Sequence, residues 1–216
     1  RGLKMQGNSA WQVIEEDLIP FKVWSGFYTQ EEILEEAVEA LTEGWYENEE
    51  EDEESIDCLS DEQIGKLKKI ISHHFDEKRK AEKNWPESTD CDRLQKAFAE
   101  LTERGIVSLE NAGYTLSDGW SDWDEVVNNE WHAKGLLNKV RGGCFYHGQD
   151  LERAVNGAGL NLAFSAISGE DSDGLPIGRE IMEVLKKHGF KPSWNGSITE
   201  RIFMPITWQK RLRNGG

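Results

Sequence analysis

Long apolar runs are absent from this chain of 216 residues, and none approaches the roughly 20 residues that a membrane helix needs. No signal-peptide pattern opens the sequence, which begins at Arg1. Cysteine is scarce: Cys58, Cys91 and Cys144 lie far apart with no paired spacing. That excludes a disulfide scaffold and points to a reducing, cytoplasmic setting. Also missing are a Gly-rich phosphate loop, a nucleophile elbow and a His-Glu-x-x-His zinc motif. Gly157-Ala-Gly159 lacks the strand–turn–helix context of a dinucleotide fingerprint. No internal repeat is visible. Residue spacing therefore calls for no cofactor and no metal.

Charge of one sign is what the chain has in excess. Its 41 acids outnumber 25 bases, for a net charge of -16. Residues 1–62 hold 19 acids and 3 bases, while the rest of the chain is balanced. A field of this kind repels nucleic acid and anionic membrane and attracts basic partners. The runs Lys66-Leu-Lys-Lys69 and Lys78-Arg-Lys80 interleave with acids and read as solvated helix faces rather than a nucleic-acid surface.

The apolar residues of the first 28 positions must pack on something. Val13-Ile14 and Phe21-Lys-Val-Trp24 read as short strands or an N-terminal arm. Thr29-Gln-Glu-Glu32 and Ser60-Asp-Glu-Gln63 are capping boxes, in which hydroxyl and N3 side chain each satisfy a free backbone N–H. The first opens a helix with Ile33, Leu34, Ala37, Val38, Leu41 and Trp45 on one face and Glu35, Glu36, Glu39 and Glu43 on the other. Glu47–Glu54 is too acidic to bury and reads as part of a mobile loop at about 47–57. The second box opens a helix ending before Trp85-Pro86, and Thr89 or Asp90 caps a third that Gly105 closes.

Beyond residue 105 the texture changes. Ile106–Leu109, Gly143–Tyr146 and Leu160–Phe164 read as strands, the last by its alternation. Ser121–Asp124 reads as the cap of a helix through Trp131, and Pro176 as the first turn of a helix that Gly189 ends. Phe190–Trp194 and Arg201–Ile206 read as a hairpin around Asn195-Gly196. The expected class is α+β: an acidic, mainly helical part over 1–104, then a small mixed or antiparallel sheet with packed helices over 105–216, as two regions or as one composite domain.

Two polar clusters draw the eye. In Cys144-Phe-Tyr-His147-Gly-Gln-Asp150, a continuing strand would send Cys144 and His147 to opposite faces. Cys144 then reads as a small buried hydrophobe and Asp150 as a helix cap. The other cluster is Asn111, Tyr114, Thr115, Ser117, Asp118 and Asp122. If the two segments meet, Asn111, Tyr114, His147, Gln149 and Asp150 line a ligand pocket. There His147 would serve as general base, oriented by Asp150 or Asp118. A divalent metal on Asp118, Asp122 and His147 has no support from spacing.

Residues 104–154 and the C-terminal stretch resemble an uncharacterised bacterial family, a domain of unknown function. The resemblance rests on Asn111-Ala-Gly-Tyr-Thr115, Cys144-Phe-Tyr-His-Gly-Gln-Asp-Leu-Glu-Arg153, Leu160-Asn-Leu-Ala-Phe164 and Trp208-Gln-Lys-Arg211. It implies a bacterial cytoplasmic origin. The reading that joins charge and resemblance is a non-enzymatic binder of a basic protein, such as an immunity or antitoxin-like protein. Glu35, Glu36, Glu39, Glu43 and the acidic run would steer the partner, and Trp120 and Trp123 would anchor it.

Overall fold

A computed structural model describes residues 9–43 and 58–212. The acidic run at 47–57 and Trp45 lie outside them. The chain divides into two compact units: Arg1–Pro86 with Gln209–Gly216, and Glu87–Trp208. The boundary expected near 104 falls at Pro86, because the third capped helix packs on the first strand and on the last helix.

In the first unit, α1 (Ala10–Val13) passes through a π-helical turn, Ile14–Leu18, into α2 (Ile19–Ser25). The strands or arm expected here are thus corrected to helix. Their β-branched and aromatic residues suggested extended chain, but burying Ile14, Ile19 and Val23 on one core outweighs that propensity. Gly26, at φ 80°, ends α2 in the left-handed conformation. Both predicted capping boxes form, opening α3 (Gln30–Thr42) and α4 (Asp61–Glu82). Ile33, Ala37 and Leu41 from α3 meet Leu67, Ile71 and Phe75 from α4 in the same core. Buried Lys78 donates from Nζ to the Val23 carbonyl at 2.9 Å, placing a cation at the C-terminus of α2.

The second unit begins with α5 (Asp90–Glu103), capped by Thr89 and closed at Gly105. The following elements are β1 (Ile106–Leu109), α6 (Leu116–Val126), β2 (Gly142–Phe145), α7 (Gly148–Val155), β3 (Leu160–Ala166), α8 (Asp171–Lys187) and β4 (Ile202–Met204). The sheet order is β1-β2-β3-β4. The β1–β2 pair is parallel and the other two pairs are antiparallel, so the sheet is mixed and the class is α+β.

Three local expectations need correction. The helix expected to start at Ser121 begins at Leu116, because Thr115 and Asp118 make a capping box of their own. Pro176 lies inside α8 rather than in its first turn, since that helix starts at Asp171. The final hairpin reduces to the bridge Ser193↔Phe203, with β4 pairing on β3 instead.

Close packing fixes α6 on the sheet. A Cβ on Gly119 would lie 2.3 Å from the Phe145 ring, and one on Gly143 would lie 2.4 Å from Trp123 Nε1. Both positions therefore need glycine. No helix among the described residues is long and apolar enough to cross a membrane.

Candidate functional site

The two polar segments meet. Asn111, at φ 51°, turns the chain after β1 and lays residues 112–114 alongside 146–149. The Ala112 N–H donates to the Tyr146 carbonyl at 2.9 Å, Gly148 N–H to Gly113 at 2.9 Å, and Gln149 N–H to Tyr114 at 3.2 Å. A Cβ on Gly148 would lie 2.8 Å from Tyr114 Cδ2, so the approach also depends on glycine. The Tyr114 hydroxyl reaches Glu152 Oε1 at 3.1 Å. Gln149 is exposed, which leaves its side chain at the rim.

His147 and Asp150 sit at this junction and are almost wholly covered, at 3% and 1% exposure. His147 is the N-cap of α7: its Nδ1 accepts from the Asp150 backbone N–H at 3.4 Å. The capping role expected of Asp150 therefore belongs to His147, and Asp150 occupies the third helical position. His147 Nε2 lies 3.1 Å from Asp150 Oδ2.

Arg201, from the approach to β4, places Nη1 2.8 Å from Asp150 Oδ2 and 3.0 Å from Oδ1. The same nitrogen lies 3.0 Å from His147 Nε2. Asn161 on β3 donates to Asp150 Oδ1 at 3.3 Å. Burial pushes the His147 pKa down; Asp150 opposes that shift, Arg201 adds to it, and Asp118 opposes it. Sequence reasoning missed Arg201 and Asn161. Nothing local marks either one, since their partner is 51 and 11 residues away.

Asp118 spends its carboxylate on the Thr115 N–H at 2.9 Å and the Thr115 hydroxyl at 2.8 Å, which hold its pKa down. Asp122 accepts from the Gly113 N–H at 2.7 Å. Among the described residues, no group of three His, Cys, Asp or Glu is placed to hold a metal ion. Cys144 is fully buried, and burial raises its thiol pKa far above the ordinary range, so it is no nucleophile.

The open space lies beside this knot. A concavity of about 570 Å³ runs from the end of β1 to the far end of α6. Glu110, Asp122, Glu125 and Glu130 line it together with Asn111 and Asn129, and no lining residue is basic. Asn129 and Glu130 come from a π-helical turn, Val127–Trp131, that continues α6; such turns often occur where helices carry function. Three of the four carboxylates are partly engaged: Asp122 by the Gly113 N–H, Glu110 by Gln95 at 3.4 Å, and Glu130 by exposed Lys134 at 3.2 Å.

The residues expected to contact a partner divide. Glu35, Glu39 and Glu43 are exposed at successive i, i+4 positions of α3 and its C-cap. Glu36 is half-buried and pairs with Lys22 at 2.8 Å. Trp123 is corrected from anchor to core: it is 6% exposed, and its Nε1–H donates to the Val107 carbonyl at 3.0 Å. Trp120 is half-buried, edge-on to Phe145 at 4.8 Å between ring centroids.

The family model described as a domain of unknown function, DUF6891, matches residues 12–212. No curated protein and no solved structure matches the chain.

Proposed function

The chain belongs to that family of unknown function, and from this premise we propose that it is a non-enzymatic binding protein for a basic partner. Its concavity between β1 and the end of α6 receives a lysine or arginine side chain of that partner. The observation that carries this reading is the lining: four carboxylates and two asparagines face one space, with no basic residue among them. A cationic group entering there meets charge-assisted acceptors, and the asparagine amides supply further polar contacts. The net charge of -16 supports fast capture of a basic protein at low salt. Exposed Glu35, Glu39 and Glu43 add to that field. An immunity or antitoxin-like protein covering a basic toxin site would work in this way.

The alternative is an enzyme or small-ligand site around His147, Asp150, Asn111 and Asp118. It has less support, because both ring nitrogens of His147 and both oxygens of Asp150 are engaged within the protein. A general base needs a nitrogen within reach of substrate.

Titration with a hexalysine peptide tests the proposal. Binding should weaken steeply between low and physiological salt. It should fall at least about tenfold in Glu125→Gln/Glu130→Gln, a loss of about 1.4 kcal/mol. Equal affinity of that variant and the wild type would overturn the reading.

A further inference from the structure

Asparagine precedes glycine at 156–157, 195–196 and 214–215. The last of these steps lies outside the described residues. Such a step is thermally labile because glycine has no side chain to shield its backbone nitrogen, and the asparagine amide carbon is one five-membered ring closure away from it. How the fold holds that nitrogen and that amide sets the rate.

At Asn156 the nitrogen is taken. Asn156 is the C-cap of α7, and its own N–H donates to the Glu152 carbonyl at 3.1 Å. The Gly157 N–H donates to the Ala154 carbonyl at 3.0 Å, and the Ala158 N–H to the Arg153 carbonyl at 2.8 Å. Closing a ring onto the Gly157 nitrogen would require the last turn of α7 to open.

At Asn195 the opposite holds. Asn195 and Gly196 are exposed and belong to neither helix nor strand. Gly196 stands at φ 83°, and a Cβ built on it meets nothing within 4 Å. No hydrogen bond among the described residues engages the Gly196 N–H. The asparagine amide is also aimed. Its Oδ1 accepts from the Ser197 N–H at 2.9 Å, an Asx turn that folds the side chain back over the 195–196 peptide. The same bond draws electron density away from Cγ. Trp194 pins this turn, with its Nε1–H donating to the carbonyls of Ser197 at 2.9 Å and Glu200 at 3.2 Å.

We propose that Asn195 is a self-modification site, converted by water to aspartate and isoaspartate. The Gly196 nitrogen gives its proton to solvent hydroxide and bonds to Asn195 Cγ. The Cγ–Nδ2 bond breaks, ammonia leaves with a proton from solvent, and a succinimide ring remains. Water then opens the ring. Breaking the new N–Cγ bond yields aspartate, and breaking the original backbone C–N bond yields isoaspartate, whose main chain runs through Cγ. One water is consumed, one ammonia is released, and nothing is oxidised or reduced. Either product adds a negative charge to the net -16. Isoaspartate also lengthens the main chain by one carbon between Ser193, which bridges to Phe203, and β4. The inference is independent of the binding reading.

The experiment incubates the full chain, folded, in mildly alkaline buffer and follows each site by tryptic peptide mass. Arg179 lies between Asn156 and Asn195, so the two sites fall in different peptides. Asn195 should convert at least about tenfold faster than Asn156, and chromatography should resolve both aspartate and isoaspartate at 195. The rate at 195 should rise with pH, since the attacking nitrogen must lose its proton. In urea, where the end of α7 is lost, the two sites should react within about threefold of one another. Equal or faster conversion of Asn156 in the folded chain would overturn the proposal. So would an Asn195 that stays intact in the folded chain over the time in which the unfolded chain reacts at both sites.

Discussion

Arg201 Nη1 lies 2.8 Å from Asp150 Oδ2, joining the approach to the last strand with the first turn of α7. The carboxylate is 1% exposed, whereas the arginine side chain is 37% exposed. One partner is therefore anchored in the core and the other reaches water. The pair locks the junction on which the concavity wall is built, and it explains why a charged aspartate is tolerated inside the sheet unit.

Arg201→Met should destabilise the fold by about 2 kcal/mol, less than the roughly 3–5 kcal/mol typical of a broken buried pair because the guanidinium edge is hydrated. Urea unfolding at pH 7 measures this. Stability equal to the wild type would show that Asp150 is held by Asn161 and the helix start alone.

Stability should decline on acidification in two windows. The folded-state pKa of His147 lies below its ordinary value of about 6.5, so the unfolded chain binds that proton first. Its contribution is complete above about pH 6.5 and is lost as the pH falls from there toward the folded value. Glu100 behaves likewise at lower pH. Hydrogen bonds from Lys187 and His188, with a further one from Arg104, bring its pKa from about 4.5 to about 2. Its contribution is present above about pH 4.5 and lost as the pH falls toward 2. Denaturation midpoints measured across pH should lose the upper step in His147→Asn and lose part of the lower step in Glu100→Gln.

The seat of α6 on the sheet depends on Gly143 and Trp123 together. Gly143→Ala should cost about 1–3 kcal/mol by overpacking, since its methyl would meet the indole at 2.4 Å. Trp123→Phe keeps the ring but leaves the Val107 carbonyl without its indole donor, at about 1–2 kcal/mol. The double variant should cost less than the sum of the two, because both changes act on one contact. A double-mutant cycle by thermal or urea unfolding checks the coupling, and strict additivity would contradict it.

Much of the fold was legible where a signal is local. The capping boxes at Thr29 and Ser60 opened the expected helices, and Leu160–Phe164 announced its strand by alternation. Thr115-x-x-Asp118 and Ser121-x-x-Asp124 offer the same capping pattern, and the structure uses the earlier one, so α6 starts a turn or more ahead of the expected position. The helices over residues 10–25 were misread because Val13, Phe21, Val23 and Trp24 carry strand propensity, while their helicity rests on tertiary burial.

Of the candidate site, the meeting of residues 111–114 with 147–150 could be framed from sequence only as a condition. Arg201, which completes the knot, lies too far along the chain for any pattern to reveal. Part of the concavity's wall, Asn129 and Glu130, comes from the π-helical turn at Val127–Trp131, and no residue spacing announces such a turn.

The most direct test of a cationic binding face is to map where a basic peptide touches the protein. Hexalysine added to the isotope-labelled chain at low salt should shift the amide resonances of residues 108–112 and 122–130. Glu110→Gln/Glu125→Gln should abolish those shifts while Glu35→Gln/Glu39→Gln leaves them in place. Shifts confined to α3, or none at either place, would contradict the account.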